Sequence, residues 1–394
     1  MKVLHVIPSI SGQAGGPSQA IFPMCRSLRS QELDVLLATT DDGLSGGTST
    51  AIQYGLSSEY KGQQTIFFPR QIGASFKYSR PFAQWLNNHV ADFDVVHIHA
   101  VFNHACIAAA RACRRRGVPY IVRPLGTLDP WSMKQKSLRK RFFWQAGVKA
   151  MLNSAAAVHY TAIAEQTATE QSLGLDHGAV VPLGIELPSG KPSARTVLAH
   201  KLPSLEGRSY ILVLSRLLPT KGLDVLLKAF LPLVKQKHFA QWCLVIAGEG
   251  PANYVASLKE TIAAADASDE VLFPGWLDGE EKEAALSNAS LLALPSYHEN
   301  FGLCVIEALA YGVPVLVSPQ VSLATDIAAA GAGWVAEIEK DALQSALTAA
   351  LNSTDERVRR GEAGRLLAGS FDWSLIATKL TDLYSSILEK KARV

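Results

Sequence analysis

Two carboxylates eight positions apart, Glu299 and Glu307, bracket the run Glu299-Asn300-Phe301-Gly302-Leu303-Cys304-Val305-Ile306-Glu307, which follows the apolar, turn-like stretch LLALPSYH. This order predicts a strand, a turn and then a helix that begins near Phe301 or Gly302 and stops near Gly312 and Pro314. The free amides of such a helix sit at the carboxyl end of a strand, where anions bind in open α/β sheets. Phosphate oxygens suit that place. Glu299, just outside the helix, can accept hydrogen bonds from sugar hydroxyls, and Glu307 can take both hydroxyls of a ribose, because a carboxylate only accepts. Either glutamate alone would read as a solvated helix-end residue stabilised by the dipole. Together, with Gly302 between them, they favour a ligand site.

A second run, Ser215-Arg216-Leu217-Leu218-Pro219-Thr220-Lys221-Gly222, joins an apolar strand to the helical stretch Leu223 to Phe230. Arg216 can hold a phosphate with its planar fork and Lys221 can act as a point charge, so the pair can neutralise a departing diphosphate in place of a metal ion. A surface ion pair is the plainer explanation for either cation alone. The loop Gly12-Gln13-Ala14-Gly15-Gly16-Pro17 lets a backbone approach a ligand closely, but it misses the G-x-G-x-x-G spacing of dinucleotide sites and a plain turn explains it as well. In Val95-Val96-His97-Ile98-His99-Ala100, alternation puts His97 and His99 on one face. His97 reads as a hydrogen-bonded core residue, whereas His99, at the strand end, is the functional candidate. With no third ligand nearby in sequence, a zinc site is not expected. The strand-end turns at Gly248 to Pro251 and Phe273 to Trp276 can border a base or ribose, or simply redirect the chain.

Short apolar runs alternating with helical patterns must position these residues, which is the signature of parallel sheets built from βαβ crossovers. One series runs Val3 to Ile7, Asp34 to Ala38, Val95 to Ile98, Tyr120 to Val122, Ala156 to Tyr160 and Val180 to Pro182. A second runs Tyr210 to Leu214, Leu244 to Ala247, Val271 to Phe273, Leu291 to Leu294 and Val315 to Val317. Each is a Rossmann-like half. Between them, Pro188, Gly190, Pro192 and Pro203 interrupt any long element over 184–207 and mark a linker. Trp373 to Leu388 carries a helical apolar stripe whose destination periodicity does not give.

The 394 residues are too many for one ordinary core, and 48% hydrophobic with 19% charged residues fits a folded chain. A net charge of +3 argues against a dedicated nucleic-acid binder. Five cysteines without a CxxC pair suit reduced thiols of a cytoplasmic protein. The start MKVLHVIP reads as a strand without a signal-peptide pattern, and no apolar run approaches the about 20 residues that span a bilayer. Lys134 to Lys149, with Phe142, Phe143 and Trp144 among its cations, suits a helix resting on an anionic membrane surface, and equally a solvated face over packed aromatics. Nothing in the sequence signals an oligomeric state.

With these motifs in order, the chain resembles the retaining glycosyltransferases of family 4, the group 1 transferases. The resemblance rests on E-x7-E at Glu299 and Glu307, S-R-x-x-x-x-K-G at Arg216 and Lys221, Gly15-Gly16, VHIHA with His99, PLGTLDPW from Pro124 to Trp131, VPLGI, and GEGP at Gly248 to Pro251. It implies an α/β GT-B fold of two Rossmann-like domains facing each other across a cleft. Residues 1–185 would form an acceptor-binding domain, completed by a C-terminal helix over 374–394 that crosses back, and residues 186–373 a nucleotide-sugar-binding domain.

The resemblance further implies that Arg216 and Lys221 bind the donor diphosphate, Glu307 the ribose, and Glu299 the transferred sugar with Asn300 and the backbone of Phe301, Gly302 and Leu303. His99 would contact the sugar near the reacting carbon, so His99, Glu299, Arg216 and Lys221 form the expected catalytic set. Gly15, Gly16, Gly248 and Trp276 complete the expected nucleotide-sugar site, and Asn103, Arg123 and Gly126 the acceptor side. UDP-sugars are the favoured donors and GDP-sugars the main other class, with no metal and no cofactor required. The acceptor is expected to be a saccharide or a lipid-linked glycan at the inner membrane face, in polysaccharide biosynthesis. The Gly-Gly-Pro loop and the Val101-Phe102-Asn103 sequence after HIHA depart from the family pattern on the acceptor side. A nucleotide-sugar epimerase or hydrolase of the same architecture is the alternative, and a non-catalytic nucleotide-sugar scaffold a more distant one.

Overall fold

A computed structural model describes residues 1–11, 16–44, 52–73, 76–134, 137–190, 193–198 and 200–393. The chain divides into two compact units, Met1–Glu186 with Trp373–Val394, and Leu187–Asp372.

The first unit holds β1 (Lys2–Val6), β2 (Asp34–Thr40), β3 (Ser57–Tyr60), β4 (Gln63–Phe68), β5 (Val95–His99), β6 (Tyr120–Arg123), β7 (Ala157–Tyr160) and β8 (Gly178–Val180). They form one sheet in the order β3-β4-β2-β1-β5-β6-β7-β8, parallel except for β3, which pairs antiparallel with β4. The parallel strands are apolar runs because crossover helices cover both faces, and every residue of β5 and β6 is buried. Those helices are α1 (Gly16–Arg29), α2 (Arg80–His89), α3 (His104–Arg116), α4 (Pro130–Lys134), α5 (Ser137–Phe143), α6 (Lys149–Asn153) and α7 (Ile163–Leu173).

The second unit carries β9 (Ser209–Leu214), β10 (Trp242–Ala247), β11 (Val271–Gly275), β12 (Leu291–Leu294), β13 (Val315–Val317) and β14 (Gly333–Val335), all parallel, in the order β11-β10-β9-β12-β13-β14. Its helices are α8 (Leu223–Val234), α9 (Ala252–Ala264), α10 (Gly279–Ser287), α11 (Leu303–Ala310), α12 (Ala324–Ala330), α13 (Lys340–Asn352) and α14 (Thr354–Gly369). A last helix, α15 (Trp373–Ala392), belongs to the first unit, where it packs on α1 and buries Ile376, Leu380, Tyr384 and Ile387. Gly184 meets it so closely that an added Cβ would lie 2.3 Å from the Trp373 ring.

In both sheets the first strand of the series lies inside, with the order reversing beside it: β1 between β2 and β5, β9 between β10 and β12. Ligands of open α/β sheets bind outside the carboxyl ends of strands at such reversals.

Three strands have no counterpart among the expected runs. The hairpin β3–β4 is half polar, and β14 is only three residues long. The sixth run is also shifted, since β8 occupies Gly178–Val180, and Pro182 has no N–H to give to a ladder. The single basic and aromatic helix expected over 134–149 is instead α5, one wider turn at Trp144–Val148, and α6. Gly147 in that turn approaches α3 so closely that an added Cβ would lie 2.8 Å from Ile107, while Arg111 donates to the Ala146 carbonyl at 2.6 Å.

Candidate active site

In the second unit the loops that leave β9, β10 and β12 and the end of β11 are joined backbone to backbone. Leu217 N–H donates to Glu249 O (2.8 Å), Gly248 N–H to Gly275 O (2.8 Å) and Tyr297 N–H to Thr220 O (2.8 Å). Only glycine tolerates these approaches. A Cβ on Gly248 would stand 1.9 Å from the Ser215 carbonyl oxygen, one on Gly250 1.9 Å from that of Leu217, and one on Gly222 2.2 Å from that of Pro295. Gly222 and Gly248 also have positive φ, 66° and 136°.

This frame places the predicted side chains around the start of α11. The helix opens at Leu303 after Gly302 (φ 81°), with no side chain capping it, so its first amides remain available to an anion. Lys221, at the end of a short 3-10 turn, forms a largely buried ion pair with Glu299. Glu307, inside the helix, accepts a hydrogen bond from Lys282 Nζ of α10 at 2.7 Å. Arg216 is exposed and has no carboxylate partner among the described residues.

Phe301 is buried, edge-on to Phe371 at 5.8 Å, and Asn300 is half-buried beside Glu299. Trp276 is 38% exposed and its carbonyl accepts from Lys201. The Cys304 thiol is pushed up to about 12, first by burial and then by Glu299 and Glu307, so it is no thiolate nucleophile at neutral pH. Lys282 is the residue here that sequence reading missed. It carries no motif and becomes visible only through its contact with Glu307.

In the first unit, His99 ends β5 and is buried. Backbone with positive φ follows at Ala100 (85°) and at Leu125 (58°), in the loops after β5 and β6, and non-glycine strain of this kind collects at functional sites. Register pairs His5 with His97 and His99 with Arg123, and His159 stands on β7. One hydrogen-bond chain has its protons fixed. His159 Nε2 lies 2.7 Å from the Val181 carbonyl, which only accepts, so His159 Nε2 carries the proton and Nδ1 accepts from His97 Nε2–H at 3.1 Å. His97 Nδ1 then accepts from Tyr384 O–H of α15 at 2.8 Å. Burial, followed by the Arg123 charge, holds His5 and His159 down to about 3, and burial likewise keeps His97 and His99 well below the usual histidine range.

His5, His97 and His99 offer nitrogens within 4.8 Å of one another, so the fold supplies from β1 the third imidazole that was not found near HIH in sequence. The rings are stacked, however, with His97 and His99 centroids 4.3 Å apart and 26° between planes. Both His97 nitrogens are committed, to Tyr384 and to His159, so His97 has no lone pair to offer a metal ion.

Among the expected acceptor-side residues, Asn103 uses its Oδ1 to cap α3 through Cys106 N–H (3.0 Å), and the Gly126 amide donates to Glu165 (2.8 Å). The fold itself therefore engages the Asn103 Oδ1 and the Gly126 amide. Arg123 is buried, and its Nε and Nη2 have no partner among the described residues. Gly16 opens α1, while Gly15 lies outside the described residues, as do Lys136 and the side chains of Trp131, Lys134 and Arg139. Lys140 is half-buried and bonded to the carbonyls of Thr127 and Ser132, so it is no free surface cation.

Two Rossmann-like sheets, each with its candidate residues at the strand-order reversal, define an α/β architecture of the GT-B kind. Residues 195–367 match the model of the glycosyl transferases group 1 and residues 15–184 that of the glycosyl transferase 4-like domain, and the chain belongs to the group 1 glycosyl transferases. It is similar to the D-inositol 3-phosphate glycosyltransferase of Nocardia farcinica, 30% identical over 214 residues, which are 53% of this chain and 47% of that one. The chain spans about half the length of the first curated relatives it matches. Among solved structures it shares its fold with Anabaena HepE in complex with UDP and glucose (TM-score 0.77, 21% identity, 98% of this chain and 100% of that one). It shares it also with the sucrose-phosphate synthase of Thermosynechococcus elongatus (TM-score 0.78, 19% identity, 99% of each).

Proposed function

We propose that this chain transfers a sugar from a nucleoside diphosphate sugar to a saccharide or lipid-linked glycan, with retention of anomeric configuration and without a metal ion. The observation that carries the reading is the cluster at the start of α11: Lys221, Glu299 and Glu307 with its Lys282 and the open helix amides, with Arg216 exposed on the same β9 loop as Lys221. In this reading Glu307 holds the ribose diol, Glu299 and the backbone of 301–303 hold the sugar, and Gly248 and Trp276 border the base. The anomeric C–O bond breaks, and the diphosphate leaves with the electron pair against Arg216, Lys221 and the helix amides. The acceptor oxygen attacks from the same face and its proton passes to a leaving phosphate oxygen. His99 contacts the sugar near the reacting carbon, and Arg123 lies on the acceptor side.

UDP is the first donor nucleotide to test, since family donors are commonly UDP-sugars and the Anabaena protein of the same fold was solved with UDP and glucose. The test is a screen of radiolabelled UDP- and GDP-sugars with and without saccharide and lipid-linked acceptors, with and without chelator. Acceptor-dependent consumption that gives a retained linkage is expected. Consumption without any acceptor would point to the epimerase or hydrolase, and UDP binding without turnover to a scaffold.

A further inference from the structure

His99 Nε2 lies 2.9 Å from His5 Nδ1, both rings are buried, and no residue near His5 in sequence announces a function for it. We propose that His5 is a positioning residue, which donates its Nδ1–H to His99 Nε2 and so holds His99 in the tautomer that presents an Nδ1–H donor to the transferring sugar. The inference rests on the reading above for what His99 touches. Its first half, the direction of one hydrogen bond, stands on the geometry alone.

Two neutral imidazoles share one proton across the 2.9 Å contact, so either His5 donates or His99 does. The remaining nitrogen of His5 decides between them. Nε2 of His5 is buried and has no partner among the described residues, so it is either a stranded N–H or a bare lone pair. A buried N–H with no acceptor forfeits a full hydrogen bond and is rarer than an unused lone pair. His5 therefore keeps its proton on Nδ1 and gives it to His99 Nε2.

The other exit is closed, because His97 has both nitrogens committed to Tyr384 and His159. His99 must then carry its own proton on Nδ1. That nitrogen has no bond to the described residues, so it is left to a ligand at the strand end. Which ring nitrogen of a histidine is protonated is set by the bond the other makes, and in water the opposite tautomer is preferred. Without His5, His99 would turn a lone pair to the sugar. With His5 it offers a donor to a sugar hydroxyl.

The test is histidine-selective 15N labelling with two-bond 1H–15N correlation spectra at pH 7.5, the His99 signals being identified by their loss in His99→Gln. The expected spectrum shows a protonated Nδ1 and a bare Nε2 at His99. The reverse pattern overturns the proposal, whatever the activity. His5→Asn, whose amide can donate from the position of Nδ1, should keep both the tautomer and near-parent turnover. His5→Phe keeps a ring and loses the donor, so His99 should shift toward the Nε2–H form while kcat falls about tenfold, the worth of one hydrogen bond, at unchanged donor KM. A fall in kcat with the His99 tautomer unmoved would mean a merely structural role and overturns the proposal. If His5→Phe does not fold, the parent spectrum decides alone. The expected tautomer in a protein that transfers no sugar would sink the proposed function and leave the His5–His99 bond standing.

Discussion

Lys221 has two partners to serve, Glu299 in the protein without ligand and a diphosphate in the proposed complex. Lys221→Ala should lower kcat by about 10²–10³, the scale of one lost electrostatic contact to developing charge. Its thermal midpoint should fall little, because Glu299 keeps partial access to water. Near-parent turnover in that variant would refute the role. Glu307→Gln should instead raise donor KM, since a carboxamide accepts less well from a diol and leaves Lys282 without its carboxylate. His99 makes a different kind of prediction. Burial first, then the charges of its neighbours, keep it neutral, so the pH profile of kcat/KM should show no limb near 6.5 that vanishes in His99→Gln.

At the scale of elements, the site depends on loops that touch through their backbones. Gly248→Ala would drive a Cβ into the Ser215 carbonyl at a positive φ, and should cost about 3 kcal/mol or more, with Arg216 displaced and activity lost. Gly207→Ala is the matched control. It has φ 70° but open space around the added carbon, so only the backbone strain of about 1 kcal/mol remains. Urea unfolding of the two variants separates the terms, and equal losses would mean that the close approach is not what constrains Gly248. The strand-end strain at Ala100 and Leu125 belongs to the same scale, as it turns the chain sharply beside His99 and Arg123.

For the whole molecule, four buried histidines set a pH window. Their folded pKa values lie below the unfolded value of 6.5, those of His5 and His159 at about 3, so the unfolded chain binds more protons once pH drops below about 6.5. Stability is fully present above that value and is lost as pH falls toward 3, by about 1.4 kcal/mol per pH unit for each histidine that stays neutral. Urea midpoints at pH 7.5 and pH 5 measure this, and equal midpoints would contradict it. Removing 373–394 should unfold the first unit, because Ile376, Leu380, Tyr384 and Ile387 leave its core and His97 Nδ1 loses the Tyr384 hydroxyl.

Most of the parallel strands were legible because strands covered on both faces are apolar along their whole length, and the candidate motifs were legible because strand-end loops carry few, special residues: Glu299, Gly302, Arg216, Lys221. The hairpin β3–β4 hid behind its polar alternation. What no spacing could tell is which distant segments become neighbours. His5 reads as one polar residue in an apolar strand until register sets it beside His97, Tyr384 reaches His97 from 287 residues away, and Lys282 finds Glu307 across two helices. Sequence by itself determined most of the elements and the residue types at their ends, since those follow from local composition. Tertiary structure alone decided the partners of each group, because sheet register and helix packing join residues whose separation along the chain carries no signal.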